Sequence, residues 1–372
     1  MRIVFFGSGS FGVPTLARLA AGHEVVRVYT QPSRPAGRGG QVRVTPAGES
    51  ARRLGLDVCE CANVNAPAVV AEIRSLKAGM IVVVDFGQIM RAAVRGAAEH
   101  GSINLHGSLL PALRGAAPVN WAMIHGLAIT GVTTFSIVDA VDAGDVYLQT
   151  QTEIDPHETA EELKARLAEI GAGVMVQTLS AIENGVRPTA QDHSLATPAP
   201  RLAKHDGVID WSASATAIRG RVHGTWRWPG GQAVFAGATH TTAVTLARVE
   251  VVGGELRSTD VPRGAGVSPA RFAGILPASD EDDGSSSVDP PHGTRNAGET
   301  PAPQGAPRPG TVLADGTIVT GEGRLRVLEL QPAGKRVMSW KDFVNGHRVT
   351  AGDRFYAPPD THYTHTPGTH TP

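Results

Sequence analysis

An amide, an imidazole and a carboxylate recur in this chain at spacings that let them work together. Asn104 and His106 stand two apart in GSINLHGSLLP, and Asp139, Asp142 and Asp145 follow in IVDAVDAGD. If SINLH is a strand, positions 104 and 106 point to one face, so the amide and the ring lie side by side. An imidazole can carry a proton between heteroatoms, and an amide N–H can stabilise a developing oxyanion. A carboxylate can orient the ring or relay the proton. The set suits acyl transfer without a protein nucleophile. A histidine near a strand end is more often a buried structural residue; here the amide at i−2 and the following Gly107-Ser108 favour catalysis.

Such residues need a scaffold that brings strand ends together. RIVFF, EVVRVYT, MIVVVDF, SINLH, GVTTFSIV and DVYLQTQTEI read as strands, and FGVPTLARLAA as a helix, with further helices near 66–76, 89–98 and 118–125. The alternation predicts an α/β fold, a doubly wound and mostly parallel sheet whose strand ends open onto a ligand crevice. Residues 157–184 carry apolar positions at helical spacing behind a Thr-Ala-Glu-Glu start. We place a catalytic domain at 1–185 and a Pro/Thr/Ala-rich linker at 186–207. QAVFAG, TTAVTLARVEVV and TVLADGTIVTGEGRLRVLELQ then predict a small antiparallel barrel or sandwich over 208–357. Residues 258–307, rich in Pro, Gly and Ser with the acidic block DEDD, read as a disordered insertion within it. Residues 358–372, with His362, His365 and His370, read as a flexible tail.

Composition narrows the class. The 372 residues are 41% hydrophobic, enough for sizeable cores, and contain only Cys59 and Cys61. No disulfide framework is available, and no metal-ligand set surrounds the two thiols, so a reduced cytoplasmic protein without metal is expected. Strand-like residues from Arg2 onward leave no room for a signal peptide, and no apolar run is long enough to span a membrane. The formal charge is −1, but residues 201–257 and 308–357 carry fifteen Lys/Arg against nine Asp/Glu, a net +6. That asymmetry suits contact with a polyanion.

Two further stretches bear on function. Gly7, Gly9 and Gly12 match the G-x-G-x-x-G spacing of a dinucleotide cradle, yet the second strand ends in Thr30-Gln31-Pro32 without the acid that would hold a ribose. NAD is therefore not expected. Residues 31–46, QPSRPAGRGGQVRVTP, carry Arg34, Arg38 and Arg43 and no acid on a Gly/Pro backbone. They read as a long irregular loop suited to phosphate contact.

Together, INLHGSLLPALRGAAPVNWA, VDAGD, RPAGRG, IDWSASA and QPAGKRVMS resemble the methionyl-tRNA formyltransferases, within the larger family that uses 10-formyltetrahydrofolate. HGSLLP would suit the larger family, whereas RPAGRG and QPAGKRVMS are more specific. The resemblance covers nearly the whole chain outside 258–307 and the tail. It implies a Rossmann-like formyltransferase domain and a C-terminal barrel of the oligonucleotide-binding type. It further implies Asn104, His106 and Asp142 as catalytic residues, and folate contacts at Ser108, Leu109, Leu110, Pro111, Phe86 and Gly87. Initiator-tRNA contacts are implied at Arg34, Arg38, Arg43, Lys335 and Arg336. Asp85 stands where the family tends to have a small residue, close to the expected folate. The expected partners are 10-formyltetrahydrofolate and methionyl-initiator tRNA, with the protein a monomer. The alternatives are a formyltransferase for an amino sugar or other small amine, which would need neither the arginine stretch nor the basic barrel, and a non-catalytic RNA-binding relative.

Overall fold

The structure, a computed structural model, describes residues 1–36, 41–253 and 307–359. Arg38, the histidines of the tail and all but the last residue of the 258–307 segment lie outside these residues.

In chain order the first half forms strands β1 (Arg2–Gly7) and β2 (Glu24–Thr30), then a hairpin of β3 (Arg34–Ala36) and β4 (Gln41–Arg43). There follow β5 (Val58–Glu60), β6 (Met80–Val84), β7 (Ser102–His106), β8 (Ile129–Ser136) and β9 (Val146–Glu153). Helices α1 (Val13–Gly22), α2 (Pro46–Arg53), α3 (Pro67–Ser75), α4 (Ala92–Arg95), α5 (Pro118–Ile124) and α6 (Ala160–Glu183) connect or cover them. Seven strands make one sheet in the order β5-β2-β1-β6-β7-β8-β9. Pairing is parallel from β5 to β7 and antiparallel for β8 and β9.

The local sequence explains these elements. β6 is apolar throughout and every residue is buried, as befits a central strand covered on both faces. β9 alternates, because it is the edge strand with one face to solvent. Proline in the first turn opens α1, α2, α3 and α5, where its missing N–H costs nothing. Thr159 and Glu162 form a reciprocal capping box at the start of α6. One core lies between the sheet and α1 and α6, with Leu16, Leu19, Leu105, Leu163 and Leu167. The other face buries Phe6, Tyr29, Ile73, Val83 and Val94. Each of these side chains contributes roughly 1.5–3 kcal/mol by leaving water.

After α7 (Ala215–Thr225) come β10 (Gly231–Ala236), β11 (Thr241–Val252), β12 (Ile318–Val319), β13 (Arg324–Pro332), β14 (Met338–Ser339), α8 (Trp340–His347) and β15 (Arg354–Tyr356). The sheet runs β12-β13-β11-β10-β15, with β14 added on β13. Residues 310–312 close it. Phe355 N–H donates to the Gly310 carbonyl at 2.7 Å and Val312 N–H to Asp353 at 2.8 Å, while Val319 N–H donates to Thr311 at 2.9 Å. One short segment thus covers both sheet edges, which makes a barrel of an open sheet. β11 bulges at Arg248, bending the strand around a core of Trp211, Phe235, Phe343 and Phe355.

The two domains dock helix on helix. A Cβ on Gly220 would lie 2.5 Å from the Met123 carbonyl, and one on Gly224 would lie 2.8 Å from the Ile124 side chain. Glycine at both positions lets α7 lie directly on α5, and the Asn120 amide donates to the Gly224 carbonyl at 2.7 Å. Arg227 pairs with Glu161 at 2.9 Å and Arg248 with Glu162 at 2.7 Å. Burial opposes the charge of Glu162, yet bonds from Arg248 and Thr159 hold its carboxyl down at about 2. Buried His223 accepts from Val249 N–H at 3.1 Å, and desolvation, with Arg219 and Arg248 nearby, lowers it to about 4.

Two expectations need correction. Part of the 31–46 stretch is not irregular: Arg34 pairs with Arg43 in the β3–β4 ladder. Three residues a side is short enough for backbone pairing despite the Gly/Pro content. Nor is 186–207 a free linker. Thr189 pairs with Val146 and Pro198 with Arg114, and Gln191 and Ala199 are buried, so residues 189–199 are a strap laid on the first domain, whereas Lys204 beyond it is held against the barrel by Gln232 of β10.

Candidate active site

β7 supplies the first two groups. Ile103 and Leu105 enter the core with α1 and α6, so Asn104 and His106 take the opposite face. His106 is 6% exposed, and its ring meets Phe135 edge-on. Its Nε2 lies 2.9 Å from the Leu113 carbonyl. A carbonyl can only accept, so Nε2 carries the hydrogen of that bond, leaving Nδ1 to exchange a proton. Nδ1 faces Asp142 Oδ2 at 3.7 Å. The Asn104 carboxamide makes no hydrogen bond among the described residues and is partly accessible. Its donors and acceptor are open to a ligand.

Asp142 is held from several sides. Its φ of 51° places it in the left-handed region, its side chain is only 14% exposed, and Oδ2 accepts from Gly115 N–H at 2.8 Å. Gln191 of the strap donates to the carbonyls of Asp142 and Gly144 at 2.9 and 2.6 Å. Arg114 in turn donates to Gln191 Oε1 at 2.6 Å. Leu113 N–H donates to Thr197 Oγ1 at 2.9 Å, and the Arg114 carbonyl accepts from Ala199 N–H at 2.6 Å. The strap therefore anchors the backbone of both Leu113, whose carbonyl fixes His106, and Asp142, whose carboxylate faces it. Gly115 has φ 129°, and a Cβ there would meet the Ala199 carbonyl at 2.5 Å, so only glycine fits.

The following loop is fixed from β8 and β9. Thr133 Oγ1 donates to the Ser108 carbonyl at 2.7 Å and accepts from Leu110 N–H at 3.1 Å, and Gln149 donates to the Leu110 carbonyl at 2.7 Å. Ser108 is buried, with its hydroxyl donated to the Ala112 carbonyl at 2.7 Å. Leu109 and Pro111 provide the partly exposed apolar surface of this loop, whereas Leu110 is buried. The Phe86 ring is also buried, packed edge-on against Phe6 at 5.1 Å, while Gly87 beside it has φ 81°.

The glycine turn after β1 is already partnered. Ser8 and Gly9 N–H both donate to the Asp85 carbonyl, at 3.0 and 3.1 Å, and a Cβ on Gly9 would collide with the Asp85 carboxylate. These amides serve the fold where a dinucleotide cradle would aim them at phosphate. Asp85 itself pairs with Lys164 of α6 at 3.3 Å, so its charge is answered from within the protein.

Of the residues expected to act together, the structure brings His106, Asp142 and the 108–111 loop to one place at the end of β7. Arg34 and Arg43 are exposed side by side on the hairpin. Lys335 and Arg336 are exposed on the β13–β14 turn of the other domain. Sequence reading missed Thr133, Gln149, Gln191 and Thr197. No local pattern marks them, because their partners lie 16 to 84 residues away.

Comparison with known proteins agrees with this architecture. The family described as Formyl transferase matches residues 1–179, and its C-terminal domain matches residues 286–348. The chain is 38% identical over 360 residues to a methionyl-tRNA formyltransferase of Solibacter usitatus, covering 95% of this chain and 98% of that one. A methionyl-tRNA formyltransferase of Geobacter metallireducens is 35% identical over 360 residues, with the same coverage of each. Among solved structures, an N-formyltransferase from Helicobacter canadensis superposes with a TM-score of 0.52 at 14% identity, over 68% of this chain and 89% of its own. HypX from Aquifex aeolicus gives 0.53 at 15% identity over 92% of this chain, which spans only 48% of HypX. At such identities these two superpositions bear on the fold alone.

Proposed function

The chain belongs to the methionyl-tRNA formyltransferase family, and from that premise we propose that it moves a formyl group from 10-formyltetrahydrofolate to the α-amino group of methionine on initiator tRNA. The observation that carries the chemistry is His106 between the Leu113 carbonyl and Asp142, with the unpaired Asn104 amide on the same face of the strand.

In this reading the neutral methionyl amine attacks the formyl carbon, and a carbon–nitrogen bond forms. Asn104, with protonated His106, stabilises the charge on the former carbonyl oxygen. The bond from the formyl carbon to N10 of the folate then breaks. His106 Nδ1, with Asp142 and water, conveys the proton lost by the amine to the departing N10. Fixed Leu113 and Asp142 keep the ring in place, so little reorganisation accompanies the reaction. Leu109, Pro111 and Gly87 are the folate contacts that remain accessible, and Ser108, Leu110 and Phe86 support them from below. Arg34, Arg43, Lys335 and Arg336, with Arg38, are the cations offered to tRNA phosphates.

The test mixes the protein with 10-formyltetrahydrofolate and methionyl-initiator tRNA and follows formyl on the aminoacyl group, with His106→Ala alongside. Transfer by the wild type and its loss in the variant are expected. Equal transfer by both would remove His106 from the mechanism, and no transfer by either would overturn the assignment.

A further inference from the structure

We propose that a groove beside Trp228, on the barrel domain, binds an unpaired nucleotide of the RNA substrate. The base stacks on the indole, and the phosphate meets Lys204. This inference rests on the reading of tRNA as substrate, and adds to it a base-binding site outside the reactive crevice.

The groove has a volume of about 460 Å³, with Trp228, Pro229, Thr245, Gln331 and Lys204 among its lining. Of the five tryptophans in the chain, Trp228 alone is exposed, at 59%; the others are buried or half-buried. No carboxylate lines the groove among the described residues. Lys204 is exposed at one side, and the turn that follows Gly334 of the lining carries exposed Lys335 and Arg336.

The polar groups around the groove are already ordered. Gln331 donates to the Lys335 carbonyl at 2.7 Å, and Gln232 donates to the Lys204 carbonyl at 3.0 Å. Both carboxamide oxygens, and the Thr245 hydroxyl, lack partners among the described residues. A flat aromatic surface, fixed acceptors and a cationic rim are the components with which proteins hold unstacked bases. Duplex RNA would not offer a free base face to Trp228. A neutral proline-rich peptide would answer the indole but not the cations, so charge complementarity favours the nucleotide.

The experiment measures binding of a short single-stranded oligoribonucleotide by anisotropy to the wild type, Trp228→Ala, Trp228→Phe and Lys204→Ala. It adds kcat and KM for formylation of tRNA. Trp228→Ala should weaken oligonucleotide binding by about 5- to 150-fold, the span of base–aromatic stacking. Trp228→Phe should restore most of it. Lys204→Ala should lower the slope of log affinity against log salt by about one. In formylation the Trp228→Ala effect should fall on the KM for tRNA and leave kcat intact. Unchanged binding by Trp228→Ala, equal competition by duplex RNA, or capture of a proline-rich peptide in place of RNA would overturn the proposal. A wild type that binds the oligonucleotide through Trp228 but transfers no formyl would refute the enzymatic reading and leave the groove standing.

Discussion

The end of β7 and the outside of the barrel are built on opposite plans. Around His106 the polar groups that shape the crevice are tied down: Leu113 by Thr197, Asp142 by Gly115 and Gln191, Leu110 by Thr133 and Gln149. On the barrel, Lys335, Arg336 and Lys204 extend into solvent with no side-chain partner among the described residues. Proton transfer tolerates little misplacement of the reacting atoms. A phosphate backbone is met by charge at varying distance, and long flexible cations suffice. Order is placed where the proposed chemistry requires it, and the proposed recognition is left to reach.

That contrast predicts a hierarchy of damage. His106→Ala should reduce single-turnover formylation by about 10²–10⁴ with little change in tRNA affinity. Asn104→Ala should reduce it by about 10²–10³, again in kcat; a loss confined to KM would place Asn104 in binding alone.

Between the two regions lies the domain contact, and pH probes it. His223 is held neutral in the folded state at about 4, against 6.5 when unfolded, so the unfolded chain takes up its proton first. Stability should be full above pH 6.5 and fall as pH drops toward 4, by up to about 3 kcal/mol. His223→Gln should flatten this slope in denaturant titrations across pH 4–7. Gly220→Ala forces a methyl against the Met123 carbonyl and should destabilise by about 1–3 kcal/mol in the same assay. Least damaging, Lys335→Ala with Arg336→Ala should raise the tRNA KM several-fold, with a reduced salt slope and unchanged kcat. A fall in kcat there would break the proposed division of labour.

The sequence made part of this legible. SINLH alternates and so places Asn104 and His106 on one face, MIVVV is apolar enough for a central strand, and Thr159 with Glu162 marks the start of α6. The doubly wound sheet and the barrel follow from such local patterns. The anchoring of Asp142 does not, because Gln191 and Thr197 meet it and Leu113 only after the chain has folded back. Composition likewise made 186–207 resemble a spacer. Pro, Thr and Ala are common in linkers, and nothing local distinguishes a strap that pairs its backbone with another segment. The hairpin at Arg34 and Arg43 was hidden for a similar reason, since its order lies in backbone pairing that Gly and Pro do not announce.

The strap has a consequence for how the molecule may be cut. A fragment ending at residue 185 would keep Asn104, His106 and Asp142 and every strand of the first sheet. It would lose Gln191, Thr197 and Ala199, and with them the bonds that seat Leu113, Arg114 and Asp142. The boundary of the fold and the boundary of the proposed site therefore differ by some fifteen residues. Modularity here is a property of the cores and not of the proposed site, whose Leu113 and Asp142 are seated by the strap.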